Sequence, residues 1–120
     1  MPERPPAIKR LDSLLGAARI AHETIFEMRR RLIAAERADP EQDRLLEESA
    51  RIVTVELSSL SANARRLSAK WSEQSVLDPE GAAKTLVELE AELNRVEPHF
   101  LSLHERQRQI AGQLRSMMES

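Results

Sequence analysis

The chain has no cysteine and no tyrosine, only three glycines, and aromatic side chains make up 2% of it. Without cysteine there is no disulfide and no thiolate metal site, and a reducing, cytoplasmic home is the expected one. The shortage of tyrosine and glycine argues against a sheet, because strands favour aromatic and β-branched residues and tight turns favour glycine. Two phenylalanines and one tryptophan are too few platforms for stacking nucleobases. No glycine-rich loop is present to cradle a phosphate. Neither sign of charge dominates: 18 lysines and arginines face 20 aspartates and glutamates, a net charge of −2. No global field therefore draws the protein to nucleic acid or to anionic lipid. Long apolar runs are missing as well. The first apolar stretch is interrupted by Asp12 and Arg19, and nothing approaches the ~18 residues of a membrane span. The opening Met-Pro-Glu-Arg-Pro-Pro lacks the layout of a signal peptide.

What the chain does have is helix. A length of 120 residues is one domain's worth. Apolar residues make up 41% and charged residues 32%, a balance that suits an elongated bundle with much polar surface. Glutamate outnumbers aspartate and arginine outnumbers lysine. Glu, Arg, Leu and Ala are all strong helix formers. Arginine-rich, lysine-poor usage also hints at a GC-rich bacterial source.

A heptad stripe runs from residue 82 to 117: Ala82, Leu86, Leu89, Leu93, Val96, Phe100, Leu103, Gln107, Ile110, Leu114 and Met117, at steps of four and three. Such spacing marks a narrow seam on a long helix packed against partner helices. Leu11, Leu14, Ala18, Ala21, Ile25, Met28, Leu32 and Ala35 make a second seam, and Leu46, Ala50, Val53, Leu57, Leu60, Ala64, Leu67 and Trp71 a third. Asp-Pro-Glu occurs at 39–41 and again at 78–80. Each is a helix start: aspartate as N-cap, proline at the first helical position, glutamate at the positive end of the helix dipole.

The expected architecture is all-α, an antiparallel up-down-up three-helix bundle over about 7–37, 40–75 and 79–118. Helices of this length span roughly 50 Å, and short connections make neighbours antiparallel. Pro98 lies within the third segment, yet the step from Val96 to Phe100 keeps the seam in phase. A kinked, continuous helix with Pro98 on its outer face is expected. Residues 1–6 are read as a disordered tail and 7–118 as one domain.

The layout resembles spectrin-type repeats in length and helix count. Those repeats carry a tryptophan in their first helix, whereas Trp71 ends the second helix here. Trp71-Ser72-Glu73 beside a helical turn is similar to the Trp-X-Gly proteins of type VII secretion, with the glycine missing. Neither likeness assigns a family.

Candidate chemistry is sparse. His22-Glu23 resembles the phosphoacceptor setting of histidine phosphotransfer domains and of sensor-kinase dimerisation helices. The former place Lys-Gly soon after the histidine, and here Thr24, Ile25 and Phe26 follow. The latter have a proline several residues on, where this chain has Arg29 and Arg30. A histidine flanking the seam is the favoured reading. His99 and His104 are five apart, a spacing that turns them away from each other, and no Glu-X-X-His pair occurs. No metal or cofactor is expected. Arg29, Arg30, Arg31 and Arg37, and again Arg65, Arg66 and Lys70, crowd helix ends, where cations complement the dipole. The first group is expected to approach Glu47 and Glu48. Thr54, Ser58, Ser61, Ser68 and Ser72 line one flank of the second helix with no general base beside them, so no catalytic residue is expected.

The function expected is non-enzymatic: a protein–protein interaction module such as an adaptor, a secretion-type chaperone or a structural subunit, with phosphotransfer through His22 the alternative. Val87, Asn94 and Leu101, spaced by seven outside the seam, are the expected interaction strip. It would take another protein or a second copy in a homodimer, with no nucleic acid, membrane span or small-molecule substrate.

Overall fold

The computed structural model describes residues 4–119. It contains α1 (Pro6–Ala34), α2 (Pro40–Arg51), a π turn (Ile52–Glu56), α3 (Leu57–Leu77) and α4 (Pro79–Glu119). Helical backbone continues from α2 through the π turn into α3, so the three form one middle helix. Cross-contacts fix the topology. Arg10 reaches Asn94, Gln107 reaches the Ala18 carbonyl and Arg37 reaches the Met118 carbonyl. Both numbers rise together, so α1 and α4 run parallel, with the middle helix antiparallel to both. The result is an all-α, up-down-up bundle measuring 58 × 28 × 18 Å.

The ends follow from local chemistry. The Asp39 carboxylate accepts from the Glu41 backbone N–H at 2.9 Å, and Asp78 from Gly81 at 3.0 Å. Pro40 and Pro79 stand first in their helices. A Cβ at residue 81 would collide with the Asp78 carboxylate, so glycine there leaves room for the cap. Pro6 opens α1, and Arg4 pairs with Asp12. The tail expected over 1–6 lies, for residues 1–3, outside the described residues. The C-terminus of α1 closes as a Schellman turn: Arg37 N–H donates to the Leu32 carbonyl and Glu36 N–H to that of Ile33. Glu36 takes the left-handed conformation, φ 57°. Ala35 is thereby the cap and exposed, not a seam residue.

Leu11, Ala18, Ile25 and Leu32, spaced by seven, are buried in α1, with Leu14 and Met28 half-buried beside them. In α4 the buried set is Ala82, Leu89, Leu93, Val96, Phe100, Gln107, Ile110 and Leu114, joined by Thr85 and Glu92. Pro98 is exposed inside a continuous helix.

The middle helix departs from the expected seam. In α2 the buried side chains are Gln42, Leu45, Ser49 and then Ile52; Leu46, Ala50 and Val53 are half-buried. From Leu57 onward the seam runs as expected through Ala64 and Leu67, with Ser61 also buried. The step from Ile52 to Leu57 is five residues, and the π turn absorbs it. The α2 half is therefore rotated by one residue against the unbroken heptad pattern.

The core divides into two clusters. One joins the C-terminal halves of α1 and α4 to α2 and the π turn, around Ile25, Leu32, Leu45, Ile52, Ile110 and Leu114. The other joins Ile8, Leu11, Ala64, Leu67, Leu89 and Leu93 at the opposite end, with Trp71 against it. Leu14 and Leu15 pack against both.

Candidate interaction surface

Parallel α1 and α4 leave a groove between them. Its wall on α1 is Ser13, Leu14 and Ala17; on α4 it is Leu101 and His104, with Ala18 and Phe100 beneath. The hollow measures about 260 Å³. Phe100 is buried and Leu101 is 58% exposed, so adjacent residues supply the floor and the lip. Arg10 closes one end, donating to Asn94 Oδ1 at 3.0 Å and pairing with Glu97. A more open trough, lined by Ile20, Thr24 and Met28 and by the charged Glu23, Glu27 and Arg31, continues the same face of α1, since 10, 17, 24 and 31 repeat by seven. Ile20 is 64% exposed there.

The expected strip is thus placed unevenly. Leu101 forms the groove's lip, Asn94 is drawn to α1 by Arg10, and Val87 stands 67% exposed near the start of α4. Sequence reasoning missed the α1 half of this surface. The signal was available in Ser13 and Ala17, small residues beside the seam that leave a hollow where α1 meets α4.

Two polar atoms at this level are orphaned. Gln107 is buried and its Nε2 donates to the Ala18 carbonyl at 2.9 Å, but its Oε1 has no hydrogen-bond partner among the described residues. His104 Nδ1, likewise buried, has none either.

His22 lies on the opposite flank of α1, half-buried, its Nδ1 hydrogen-bonded at 2.8 Å to Ser49 Oγ. Ser49 is fully buried. His99 is exposed and His104 half-buried. Among the described residues no group of three or more His, Asp or Glu side chains could hold a metal ion.

The arginines of the two basic groups, Arg29, Arg30, Arg31 and Arg37 and again Arg65 and Arg66, all bind within the bundle. Arg29 donates to Gln42 Oε1 at 2.6 Å and to Asp43 Oδ1 at 2.5 Å. Arg30 and Arg31 pair with Glu27 on their own helix. Arg37 donates to the Met118 carbonyl at 2.7 Å. Glu48 pairs instead with Arg106 of α4, which also reaches Glu56 across the π turn at 3.5 Å. The hydrogen bond that Arg106 donates to Glu48, and the charges of both carboxylates, raise the Arg106 pKa against the opposing effect of burial. Arg65 donates to Ser61 Oγ and to the Ser58 carbonyl, and Thr54 to the Ala50 carbonyl. Glu92, buried where α3 meets α4, accepts from Asn63 Nδ2 at 2.5 Å and pairs with Arg95. The hydrogen bond from Asn63, then that from Arg95 and its charge, hold the Glu92 carboxyl below its ordinary pKa against the opposing effect of burial.

No helix is long and apolar enough to cross a membrane among the described residues. Comparison of the chain with protein-family models, with curated proteins and with solved structures yields no match.

Proposed function

We propose that this chain is a non-enzymatic protein–protein interaction module, an adaptor, chaperone or structural subunit, that binds along its α1–α4 face. The observation that carries the reading is Leu101, more than half exposed at the lip of an apolar hollow between two parallel helices. Single exposed apolar residues are ordinary on any protein. A continuous face that also presents Ile20, Ala17 and Leu14 is a surface on which a helix lays its apolar side. A second copy of the chain supplies such a helix, each copy offering the same face about a two-fold axis.

Light scattering coupled to size exclusion at micromolar concentration tests this. The expected mass is about twice the 13.6 kDa of the chain, with Leu101→Glu returning it to the monomer because a carboxylate would be buried without a partner. Monomers from both would exclude self-pairing and leave the groove to a helix of another protein. Phosphotransfer through His22 has weaker support. A phosphoacceptor must stand in solvent within reach of a second protein, and here Ser49 occupies Nδ1 of a half-buried ring.

A further inference from the structure

The middle helix carries two seams. The one in use runs through Leu45, Ser49 and Ile52 into Leu57. The other runs through Leu46, Ala50 and Val53 into the same Leu57. The first needs a five-residue step, which the π turn provides. The second keeps steps of four and three and needs none. Three of the four buried positions have a counterpart of like character, Leu46 for Leu45, Ala50 for Ser49 and Val53 for Ile52; at the fourth, Asp43, already bonded to Arg29, would take the place of Gln42. Exchanges that conserve volume and character are those a core tolerates best. The unused set already touches the core, for Leu46 and Val53 are half-buried against the same cluster.

We infer that α2 has a second register, reached when the π turn becomes α-helical and α2 turns by one residue about its axis. One residue is roughly 100° of helix rotation. The register in use is held by polar contacts. Ser49 binds His22, Gln42 accepts from Arg29 and donates to the Arg37 carbonyl at 2.9 Å, and Glu48 with Glu56 holds Arg106. The second register gives these up. It gains an uninterrupted α-helix and an apolar Ala50 where Ser49 was buried. Residues 35–39, between α1 and α2, take up the one-residue slide. Two packings of one sequence, separated by a discrete rotation, make a bistable element. The outer face of α2 differs between them, so a partner that reads this face shifts the balance by its difference in affinity for the two. This device does not depend on what occupies the α1–α4 groove.

The chain has no cysteine, so two introduced cysteines report only on each other. The pair His22→Cys/Ser49→Cys reports the register in use. The pair His22→Cys/Ala50→Cys reports the second, because one residue of rotation carries Ala50 to the place of Ser49 and otherwise keeps it turned away. Each pair is equilibrated in a thiol–disulfide buffer, in the full-length chain and in a chain lacking Val55. Val55 is exposed in the π turn, and its deletion makes the step from Ile52 to Leu57 four residues, which fixes the register in use. The 22–49 bond should form in both backgrounds. The 22–50 bond should form in the full-length chain and fall at least ~10-fold without Val55. Equal 22–50 yields in the two backgrounds, high or low, would overturn the proposal. Should the deletion fail to fold by circular dichroism, methyl relaxation dispersion on the unaltered protein decides. A shared exchange process at Leu45, Leu46, Ile52 and Val53, absent at Leu89 and Leu93, supports two registers, and flat profiles at all four overturn them.

Discussion

At the scale of single residues, two positions carry testable costs. Glu36 sits at the turn after α1 with φ 57°, a conformation that glycine adopts freely and other L-residues adopt at a cost of roughly 1 kcal/mol. Its backbone N–H already closes the Schellman turn, and its side chain is exposed. Glu36→Gly should therefore stabilise the protein by about 0.5–1 kcal/mol, read as a higher denaturant midpoint at unchanged slope. Glu92 makes the opposite kind of point. Its side chain is 5% exposed, and its pKa is held below the ordinary 4.5, chiefly by the hydrogen bond from Asn63. A carboxyl whose folded pKa is depressed contributes stability above the unfolded value and loses it as pH falls through the folded one. The stability curve should accordingly slope down below about pH 4.5. Glu92→Gln, which keeps an acceptor for Asn63 and cannot titrate, should flatten that part of the curve in urea melts taken at several pH values. An unchanged acid slope would show that other carboxylates carry it.

At the scale of elements, the main lines of α1 and α4 were legible: Leu11, Ala18, Ile25 and Leu32 and eight of the eleven stripe positions of α4 are buried, while Ala7, Ile8, Thr85 and Glu92 are buried outside the expected seams. The buried positions recur by seven along α1 and mostly by three, four and seven along α4, and the two Asp-Pro-Glu starts hold because capping is a local matter of a few atoms. The α2 half of the middle helix was not legible. Leu45 and Leu46, and Ile52 and Val53, are neighbours of nearly equal hydrophobicity, so a periodic pattern cannot choose between them. The choice is made by contacts that the helical period does not contain, from Arg29 to Gln42, between His22 and Ser49 and from Arg106 to Glu48, with Gln42 also donating to the Arg37 carbonyl at the turn. For the same reason Glu48 was assigned to the arginines of α1 and belongs to α4. Alanine substitution separates the faces. Ile52→Ala removes a fully buried side chain and should cost about 2–5 kcal/mol. Val53→Ala, half-buried at the edge, should cost about 1 kcal/mol or less. Equal losses in urea melts would mean that the two seams share the core evenly.

At the scale of the whole molecule, the bundle is a rod. Its radius of gyration is 18.0 Å, where a compact domain of this length would have about 13.6 Å. A rod has little cross-section, so its core is strung along the axis, and here it falls into two clusters at opposite ends. That division bears on why the hollow beside Leu101 was not legible from either seam. The hollow lies between α1 and α4, a property of two helices together that neither seam states alone. The clusters must still unfold together if the domain is cooperative, and the side chains that touch both are Leu14 and Leu15 of α1. Trp71 packs only against the cluster that contains Ile8 and Leu93, so its fluorescence reports that end, while far-ultraviolet circular dichroism reports all the helix. In the unaltered chain the two signals should give coincident transitions, the mark of an all-or-none process. In Leu14→Ala/Leu15→Ala the link is thinned and each end keeps its own core. The two transitions should then separate, with the fluorescence midpoint differing from the dichroism midpoint. Coincident transitions at a lower midpoint would instead place the coupling in the unbroken backbone of α4, which runs through both clusters from Leu89 to Leu114.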